Sequence, residues 1–203
     1  MSSEKPYARR TMGRPRAFDM DEVLDRAMQV FRERGYDGAS VDALQEATGL
    51  TAGSVYKAFG SKREFFIAAY DRYVSERRKL VAMRLAQAVT GRERIAATLY
   101  AYLESASGED GRRGCLVVAS LVEASTLEAS LRASVAATLA DNRAGLTDML
   151  QEGQLDGSVR ADLPVEPCVD LLLALLQGLR ATGKLRDPAD PDGLVALALK
   201  ILD

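Results

Sequence analysis

Hydrophobic residues recur every three or four positions along most of the chain, a spacing that predicts amphipathic helices rather than strands. The first stripe contains Val23, Ala27 and Phe31 and ends at Gly35. Alanine, leucine, glutamate and arginine dominate, and runs of β-branched residues are scarce. The pattern therefore predicts an all-α fold of about nine helices. Helices after the first are expected near residues 41–47, 52–59, 62–87, 95–103, 115–124, 127–152, 168–179 and 193–202, with a loop at 107–111.

Two of these helices are short and lie close together in the sequence. Ser40 and Thr51 each stand where a side-chain oxygen can cap a helix of about two turns. The break between the two helices includes Gly49, Gly60 ends the second helix, and Ser61 can cap the next one. This arrangement is typical of a helix-turn-helix, whose second helix can lie in the DNA major groove. The sequence therefore indicates a DNA-binding protein.

The charge is distributed unevenly, although the net charge is only −2. Residues 1–80 contain 15 lysines and arginines against 12 acidic residues, whereas residues 81–203 contain 12 against 17. The excess of positive charge thus accompanies the helix-turn-helix, as expected for a segment that approaches phosphates. We expect a flexible basic arm at residues 1–17 and a helix-turn-helix DNA-binding domain at 18–62, while the acidic remainder at 63–203 has a different role.

The absence of histidine restricts the possible chemistry. The chain has no histidine and only two cysteines, which excludes Ser-His-Asp and Cys-His catalysis and most transition-metal sites. We therefore expect neither an enzyme, nor a bound metal, nor another cofactor. The longest apolar run, residues 171–176, is far shorter than the ~20 residues that cross a membrane. Because the N-terminus is polar and basic, unlike a signal peptide, the sequence predicts a cytoplasmic protein without membrane contact.

Residues from about 14 to 66 carry the motifs of a known family. They resemble the TetR family of bacterial transcriptional repressors, and the helical layout of the remaining chain is similar too. The resemblance implies a homodimer in which an N-terminal three-helix DNA-binding unit precedes a larger helical domain with a ligand cavity. It also implies that the last two helices pair across the dimer as a four-helix bundle. The residues that carry the resemblance are Gly13, Arg14, Pro15, Arg16, Ala27, Phe31, Gly35, Tyr36, Ser40, Val41, Thr48, Gly49, Leu50, Gly53, Ser54, Val55, Tyr56, Phe59, Ser61, Lys62, Arg63 and Glu64.

The resemblance and the residue chemistry together select the residues expected to contact DNA. Tyr56 and Lys62 match family positions that grip phosphate, and Lys62 stands in the first turn of its helix, where free backbone N–H groups attract anions. Lys57 is the base-facing residue able to donate strongly to guanine. Gly53 costs helix stability but allows the backbone to approach DNA closely. The full set is Arg14, Arg16, Thr51, Ala52, Gly53, Ser54, Tyr56, Lys57 and Lys62.

Simpler alternatives exist for several of these residues. Tyr56 could be a packed aromatic residue, and Lys57 could be an exposed lysine that meets only solvent. Arg14 and Arg16 could enter a narrow minor groove, which attracts arginine, or could belong to a disordered solubilising tail.

Cys115 is the main candidate for chemistry outside the DNA-binding segment. It is expected at a helix N-terminus beside Arg112 and Arg113, a setting that favours the reactive thiolate. Some TetR-like repressors that sense electrophiles or oxidants carry a Gly-Cys pair at a similar place, which suggests a redox or electrophile sensor. The alternative is a small residue packed where the helix meets the core. Cys168, beside an apolar helix, is expected to serve packing.

The resemblance implies that residues 63–203 form a regulatory domain for ligand binding and dimerisation. We expect this domain to hold a small-molecule inducer of apolar or weakly polar character. The dimer surface is expected at residues 168–184 and 194–202, because a helix that is apolar nearly all round must be buried on more than one side. The candidate wall residues of the ligand pocket are Leu99, Tyr102, Leu103, Leu121, Val135, Leu139, Leu146, Leu175 and Leu179.

These features together predict a transcriptional repressor that binds a palindromic double-stranded operator as a homodimer. A small-molecule inducer, or oxidation or electrophile modification at Cys115, would release it from the operator. The alternative from another class is a helical interaction or scaffold protein with a structural helix-turn-helix and no operator. Lys57, Lys62 and the basic arm argue against that alternative, because a structural motif needs no cationic face. An activator, or a regulator without a ligand, remains open within the family.

Overall fold

A computed structural model describes residues 19–203, and every regular element in that range is helical. The predicted all-α fold is therefore confirmed for these residues. The basic arm, with Arg14 and Arg16, lies outside the described residues. The helices are α1 (Met20–Gly38), α2 (Val41–Thr48), α3 (Ala52–Phe59), α4 (Lys62–Leu85), α5 (Gly91–Ser105), α6 (Gly108–Arg113), α7 (Leu116–Val122), α8 (Ala129–Asp156), α9 (Val165–Thr182) and α10 (Pro191–Leu199), followed by the 3₁₀ turn Lys200–Leu202.

Local capping signals set the limits of the helix-turn-helix. Ser40, Thr51 and Ser61 each accept, through the side-chain oxygen, a hydrogen bond from the backbone N–H three residues later. Gly49 ends α2 in the left-handed conformation with φ of 70°, which glycine adopts at little cost. The predicted caps of α2, α3 and α4 are thus confirmed.

Helix α6 occupies the segment that the sequence predicted as a loop at 107–111. Two glycines, Gly108 and Gly111, lower the intrinsic helix propensity of this short stretch. Tertiary packing outweighs this low helix propensity. The packing is close at Gly111, where a Cβ would stand 2.2 Å from the Ala106 carbonyl oxygen, so only glycine fits there. The loop prediction was wrong because it considered propensity without the neighbours that hold α6 in place.

The first hydrophobic core joins the helix-turn-helix to part of the second half of the chain. Phe31 of α1 meets Phe66 of α4 edge to face with ring centroids 5.0 Å apart, and Phe59 of α3 stacks on Phe65 of α4 at 4.0 Å. These ring contacts fix the angle between α3 and α4. Buried residues of α7 and of the first half of α8 belong to the same core, namely Leu116, Val117, Leu131 and Val135.

The second hydrophobic core lies between α5, the second half of α8, α9 and α10. Its buried members include Ile95, Leu99, Leu150, Val169, Leu172 and Val195. Helix α8 therefore contributes to both cores and connects them. None of the helices in the described range is long and apolar enough to cross a membrane.

Candidate functional site: an exposed short helix and a buried cavity

Helix α3 presents one face to the core and the other to solvent. Val55 is buried in the first core, while Tyr56 is 51% exposed and Lys57 is also exposed. The exposed phenol and ammonium therefore lie next to each other on the outer face of a two-turn helix. A packed position for Tyr56, one of the alternatives considered from the sequence, is excluded by this exposure.

The first turn of α3 is small and polar. The Thr51 hydroxyl accepts from the backbone N–H of Ser54 at 3.3 Å and lies 3.0 Å from the Ser54 hydroxyl. A Cβ built on Gly53 would meet no atom of residues 19–203 within 4 Å. Because none of these residues requires glycine at this exposed position, the first turn of α3 is open to the close approach of another molecule.

Lys62 begins α4 directly behind α3. Its ammonium group lies 4.6 Å from the ring centroid of Tyr36 and 3.5 Å from the carbonyl oxygen of Asp37. The side chain is therefore held over the end of α1 by a cation–π contact. The structure thus brings the predicted residues of the described range together in α3, its cap and the start of α4, namely Thr51, Ala52, Gly53, Ser54, Tyr56, Lys57 and Lys62.

A cavity of about 260 Å³ lies between α4, α5, α7, α8 and α9. Of the predicted wall residues, Tyr102 and Leu146 line it. The others do not, because their side chains turn into the two cores: Leu121, Val135 and Leu139 pack in the first, and Leu99, Leu103, Leu175 and Leu179 in the second. Wall residues that sequence reasoning missed include Tyr73, Val81, Leu85, Thr98, Met149, Leu176, Gln177 and Arg180.

Arg180 of α9 gives this cavity a buried positive charge. It is only 3% exposed, and its Nη2 donates to the Tyr73 hydroxyl oxygen at 3.0 Å. Burial raises the pKa of Tyr73 far above its ordinary value, and it raises the pKa of Tyr102 to about 12. Both phenols therefore stay neutral at physiological pH, so neither supplies a negative charge to Arg180.

Cys115 lies at the wall of the same cavity, immediately before α7. It is partly buried, and its thiol lies near Tyr73 and Arg180. Cys168, in contrast, is buried in the second core, and burial raises the pKa of its thiol. Of the two cysteines, only Cys115 faces a space that a small molecule could enter.

The cation beside Cys115 is not one of the two that the sequence predicted. Arg112 lies 3.7 Å from Asp187, measured between Nη1 and Oδ1, and Arg113 pairs with Glu109 within α6. Arg112 is exposed and Arg113 is partly exposed, and each is engaged with its carboxylate. Arg180, far away in the sequence, takes their place because α9 packs behind the start of α7.

The segment immediately before Cys115 is hydrogen-bonded to α1. Arg32, buried within α1, donates from Nε and Nη2 to the carbonyl oxygen of Gly114 at 2.9 and 2.6 Å, and also to the Asp110 carboxylate at 2.7 Å. Arg77 of α4 donates to the other carboxylate oxygen of Asp110 at 2.6 Å. Burial alone would raise the pKa of Asp110, but Arg77 and Arg32 outweigh it and hold the pKa below its ordinary value. Sequence reasoning missed this cluster.

The other end of α7 also contacts α1. The Glu123 carboxylate accepts from the backbone N–H of Tyr36 at 2.9 Å. Gly35 has φ of 70°, and a Cβ there would stand 2.0 Å from a Glu123 carboxylate oxygen, so the contact requires glycine. Because the Tyr36 ring also holds Lys62, α7 connects the cavity wall to the start of α4.

Comparison with known proteins places this architecture in a family. Two family models match the chain: "Bacterial regulatory proteins, tetR family" over residues 23–69, and "Tetracyclin repressor-like, C-terminal domain" over residues 91–198. The second alone covers more than half of the chain. The chain belongs to the TetR family.

TetR-family relatives match over most of the chain. The HTH-type transcriptional repressor ComR of Escherichia coli (strain K12) is 26% identical over 194 residues, which cover 94% of this chain and 90% of ComR. The HTH-type transcriptional repressor DhaR of Mycobacterium sp. (strain GP1) is 29% identical over 172 residues, which cover 83% of this chain and 85% of DhaR.

A solved TetR-family structure is similar to this chain while bound to DNA. It is a cysteine mutant of the transcriptional regulator CifR complexed with 26-bp double-strand operator DNA. Its identity is 34% and its TM-score 0.79, and the match covers 93% of this chain and 98% of the CifR chain. The chain with the present sequence is therefore also a DNA-binding transcriptional regulator whose partner is double-stranded DNA. The alternative of a scaffold protein is set aside.

The TetR-family chain leaves apolar residues exposed on its last helices. Leu171 of α9 is 55% exposed and Leu197 of α10 is 66% exposed. Gly178 is also exposed on α9, and a Cβ there would meet nothing within 4 Å. The opposite side of α9 is buried in the second core through Leu172 and Leu176. Helix α9 thus has two apolar sides, of which this chain covers one.

Proposed function

We propose that this TetR-family protein is a repressor that leaves its operator when a small molecule occupies the cavity or modifies Cys115. The proposal is carried by the hydrogen bonds between α1 and the segment before α7. Arg32 holds the carbonyl of Gly114, and the next residue, Cys115, lines the cavity. A change at this wall would therefore act directly on α1, the first helix of the DNA-binding unit, which packs against α2 and α4.

In the proposed complex, α3 lies in the major groove of the operator. Tyr56 and Lys62 contact phosphates, which position the protein, and Lys57 reaches base edges. Gly53 lets the backbone approach closely. The remaining proposed contacts come from Thr51, Ala52 and Ser54 in the first turn, and from Arg14 and Arg16 in the adjacent minor groove.

We further propose a homodimer through α9 and α10 that binds a palindromic operator. The exposed Leu171, Gly178 and Leu197 support this, because a second copy would cover the apolar side that one chain leaves open. Half-sites on DNA lie about 34 Å apart, one helical turn. A small rotation of the two chains would therefore weaken both contacts with DNA at once. Light scattering should give the mass of two chains at micromolar concentration.

A quinone allows the release reaction to be written step by step. The Cys115 sulfur attacks a ring carbon conjugated to a carbonyl, so an S–C bond forms as the C=C π bond breaks. The displaced electron pair moves to the carbonyl oxygen, which takes up the thiol proton. Transfer of the proton from the attacked carbon to the second oxygen then restores the aromatic ring. The product is a hydroquinone thioether that fills the cavity beside Arg180, with no other reactant consumed.

The proposed function needs neither catalytic turnover nor a cofactor. The protein would work by changing its affinity for DNA, and it would do so in the cytoplasm, where bacterial DNA lies. The family and the bound DNA of a relative support this way of acting.

The test of release compares single cysteine variants. Wild-type protein bound to the DNA upstream of its own gene is treated with 1,4-benzoquinone, and the bound fraction is followed by gel shift. We expect wild type to leave the DNA and Cys115→Ser to stay bound. Cys168→Ser, which alters the buried thiol, serves as the control and should respond like wild type. A Cys115→Ser protein that responds fully would contradict the cysteine branch of the proposal.

The proposed DNA-binding surface can be tested by reversing the charge of two of its lysines. Lys57→Glu combined with Lys62→Glu places two carboxylates where two ammonium groups face the DNA, so we expect DNA binding to be lost. Lys79→Glu, at an exposed position on α4, makes a control of the same charge type away from α3. Undiminished binding by the double variant would overturn the proposed surface.

A further inference from the structure

Arg180 carries a buried charge that the described part of the chain does not neutralise. Within residues 19–203 its guanidinium group forms no ion pair with a carboxylate; Nη2 donates to the neutral Tyr73 hydroxyl, and Nη1 has no hydrogen-bond partner. The two other arginines at the cavity wall are paired: Arg77 with Asp110 and Arg78 with Asp141. A buried cation without an anion is costly, because the protein interior does not replace the water that the charge has lost.

A second polar atom without a partner lies one turn earlier on the same helix. The Oε1 of Gln177 is buried and accepts no hydrogen bond from the described residues, and Gln177 lines the cavity together with Arg180. Most other side chains in the wall are apolar, including Val81, Leu85 and Met149. The cavity therefore has two unpartnered polar atoms on α9, ion-paired arginines on α4, and apolar side chains over much of the remaining wall. This arrangement suits a ligand with one charged group and an apolar part.

We propose that the cavity binds a small organic carboxylate with an apolar tail. Arg180 Nη1 donates to one carboxylate oxygen, and the Gln177 amide, after rotation about its last bond, donates its NH₂ to the other. The apolar walls cover the tail. A water molecule takes up about 30 Å³ in the liquid, so the 260 Å³ cavity has room for a small organic molecule. This inference rests on the proposed function in assigning the carboxylate as the inducer.

The first experiment uses the wild-type full chain without DNA. Isothermal titration compares hexanoate, octanoate and phenylacetate, each beside the alcohol of the same skeleton. Because hydrogen bonds to charged groups are worth more than neutral ones, we expect at least one carboxylate to bind about tenfold more tightly than its alcohol. Octylammonium, with the opposite charge, should not bind. Equal binding of every carboxylate and its alcohol, or no binding by any carboxylate, overturns the inference.

The second experiment assigns the preference to Arg180. Arg180→Gln should bind the carboxylate and its alcohol with affinities within about threefold of each other, whereas Arg180→Lys, which keeps the cation, should retain part of the preference. Circular dichroism shows whether each variant is folded. A folded Arg180→Gln protein that keeps the full preference overturns the assignment, and a variant that does not fold leaves the wild-type comparison to decide.

Gel shifts with the same carboxylates separate this inference from the proposed function. If a carboxylate binds selectively but leaves the operator complex intact, the anion site stands and release through the cavity fails. If benzoquinone releases the DNA while no carboxylate binds, the proposed function stands and the anion site fails.

Discussion

The guanidinium group of Arg32 donates two hydrogen bonds to the carbonyl oxygen of Gly114, although the two residues are 82 positions apart in the sequence. Arg32 is only 2% exposed, so this contact is made in the interior. It joins α1, which packs against both α2 and α4, to the residue just before Cys115 at the cavity wall. The contact is a direct physical connection between the two ends of the proposed switch.

Replacing Arg32 tests that connection. Arg32→Lys keeps the charge but cannot reach the carbonyl of Gly114 and Asp110 together, because an ammonium group lacks the planar fork of donors. We expect the free energy of unfolding to fall by about 1–3 kcal/mol in urea denaturation. We also expect benzoquinone to release less DNA in gel shifts. Arg26→Lys, at an exposed position in the same helix, should change neither quantity. Full release by folded Arg32→Lys would show that the signal takes another route.

Gly53 allows stability and DNA binding to be separated in one substitution. Because a Cβ there meets no atom of the part of the chain that the structure describes, Gly53→Ala should raise the free energy of unfolding by about 0.5–1 kcal/mol. The same methyl group should lower affinity for the operator, since it stands between the backbone and DNA. Gly145→Ala in α8 also meets open space and should raise stability without changing affinity in the absence of ligand. Unchanged operator affinity of Gly53→Ala would argue against close approach.

Phosphate contacts can be recognised by their salt dependence. Lys62→Gln should weaken binding to specific and nonspecific DNA alike, and it should reduce the slope of log K against log salt by about 1. Tyr56→Phe removes a neutral donor, so it should weaken binding by about 0.5–1.5 kcal/mol with the slope unchanged. Fluorescence anisotropy at several salt concentrations measures both quantities. A slope unaffected by Lys62→Gln would place its ammonium group away from the phosphates.

Asp110 should make the stability of the protein depend on pH in the acidic range. Its pKa is lowered in the folded state by Arg77 and Arg32, against the effect of burial. A lowered pKa contributes stability that is fully present above the unfolded value of about 3.9 and is lost as the pH falls through the folded value. Asp110→Asn should therefore be less stable than wild type at pH 7, and the difference should shrink below about pH 4. Urea denaturation at both pH values measures this, and a constant difference would contradict it.

The helix-turn-helix was predictable from the sequence because its signals are local. A capping hydroxyl at Ser40 or Thr51 bonds a backbone group three residues away, and the left-handed turn at Gly49 depends on that residue alone. The alternation of buried Val55 with exposed Tyr56 and Lys57 follows from the period of the helix. These features need no knowledge of the rest of the chain.

The cavity could not be predicted in the same way. Leu99 and Leu146 look equivalent as apolar residues in helical stripes, yet one is packed in the second core while the other also faces the cavity. Which side of a stripe meets a neighbouring helix depends on how helices pack, and this is decided by contacts between distant segments. Arg180 illustrates the limit most clearly, because in sequence it is an ordinary basic residue near a helix end.

Most of the helices, the caps of α2, α3 and α4 and the outward face of α3 thus follow from local sequence, since each depends on residues within about one turn of one another. Helix α6, the burial of Arg180 beside Cys115 and the hydrogen bonds from Arg32 to Gly114 depend on tertiary contacts. The physical reason is that burial and ion pairing depend on which surfaces meet, and those surfaces come from helices far apart in the chain.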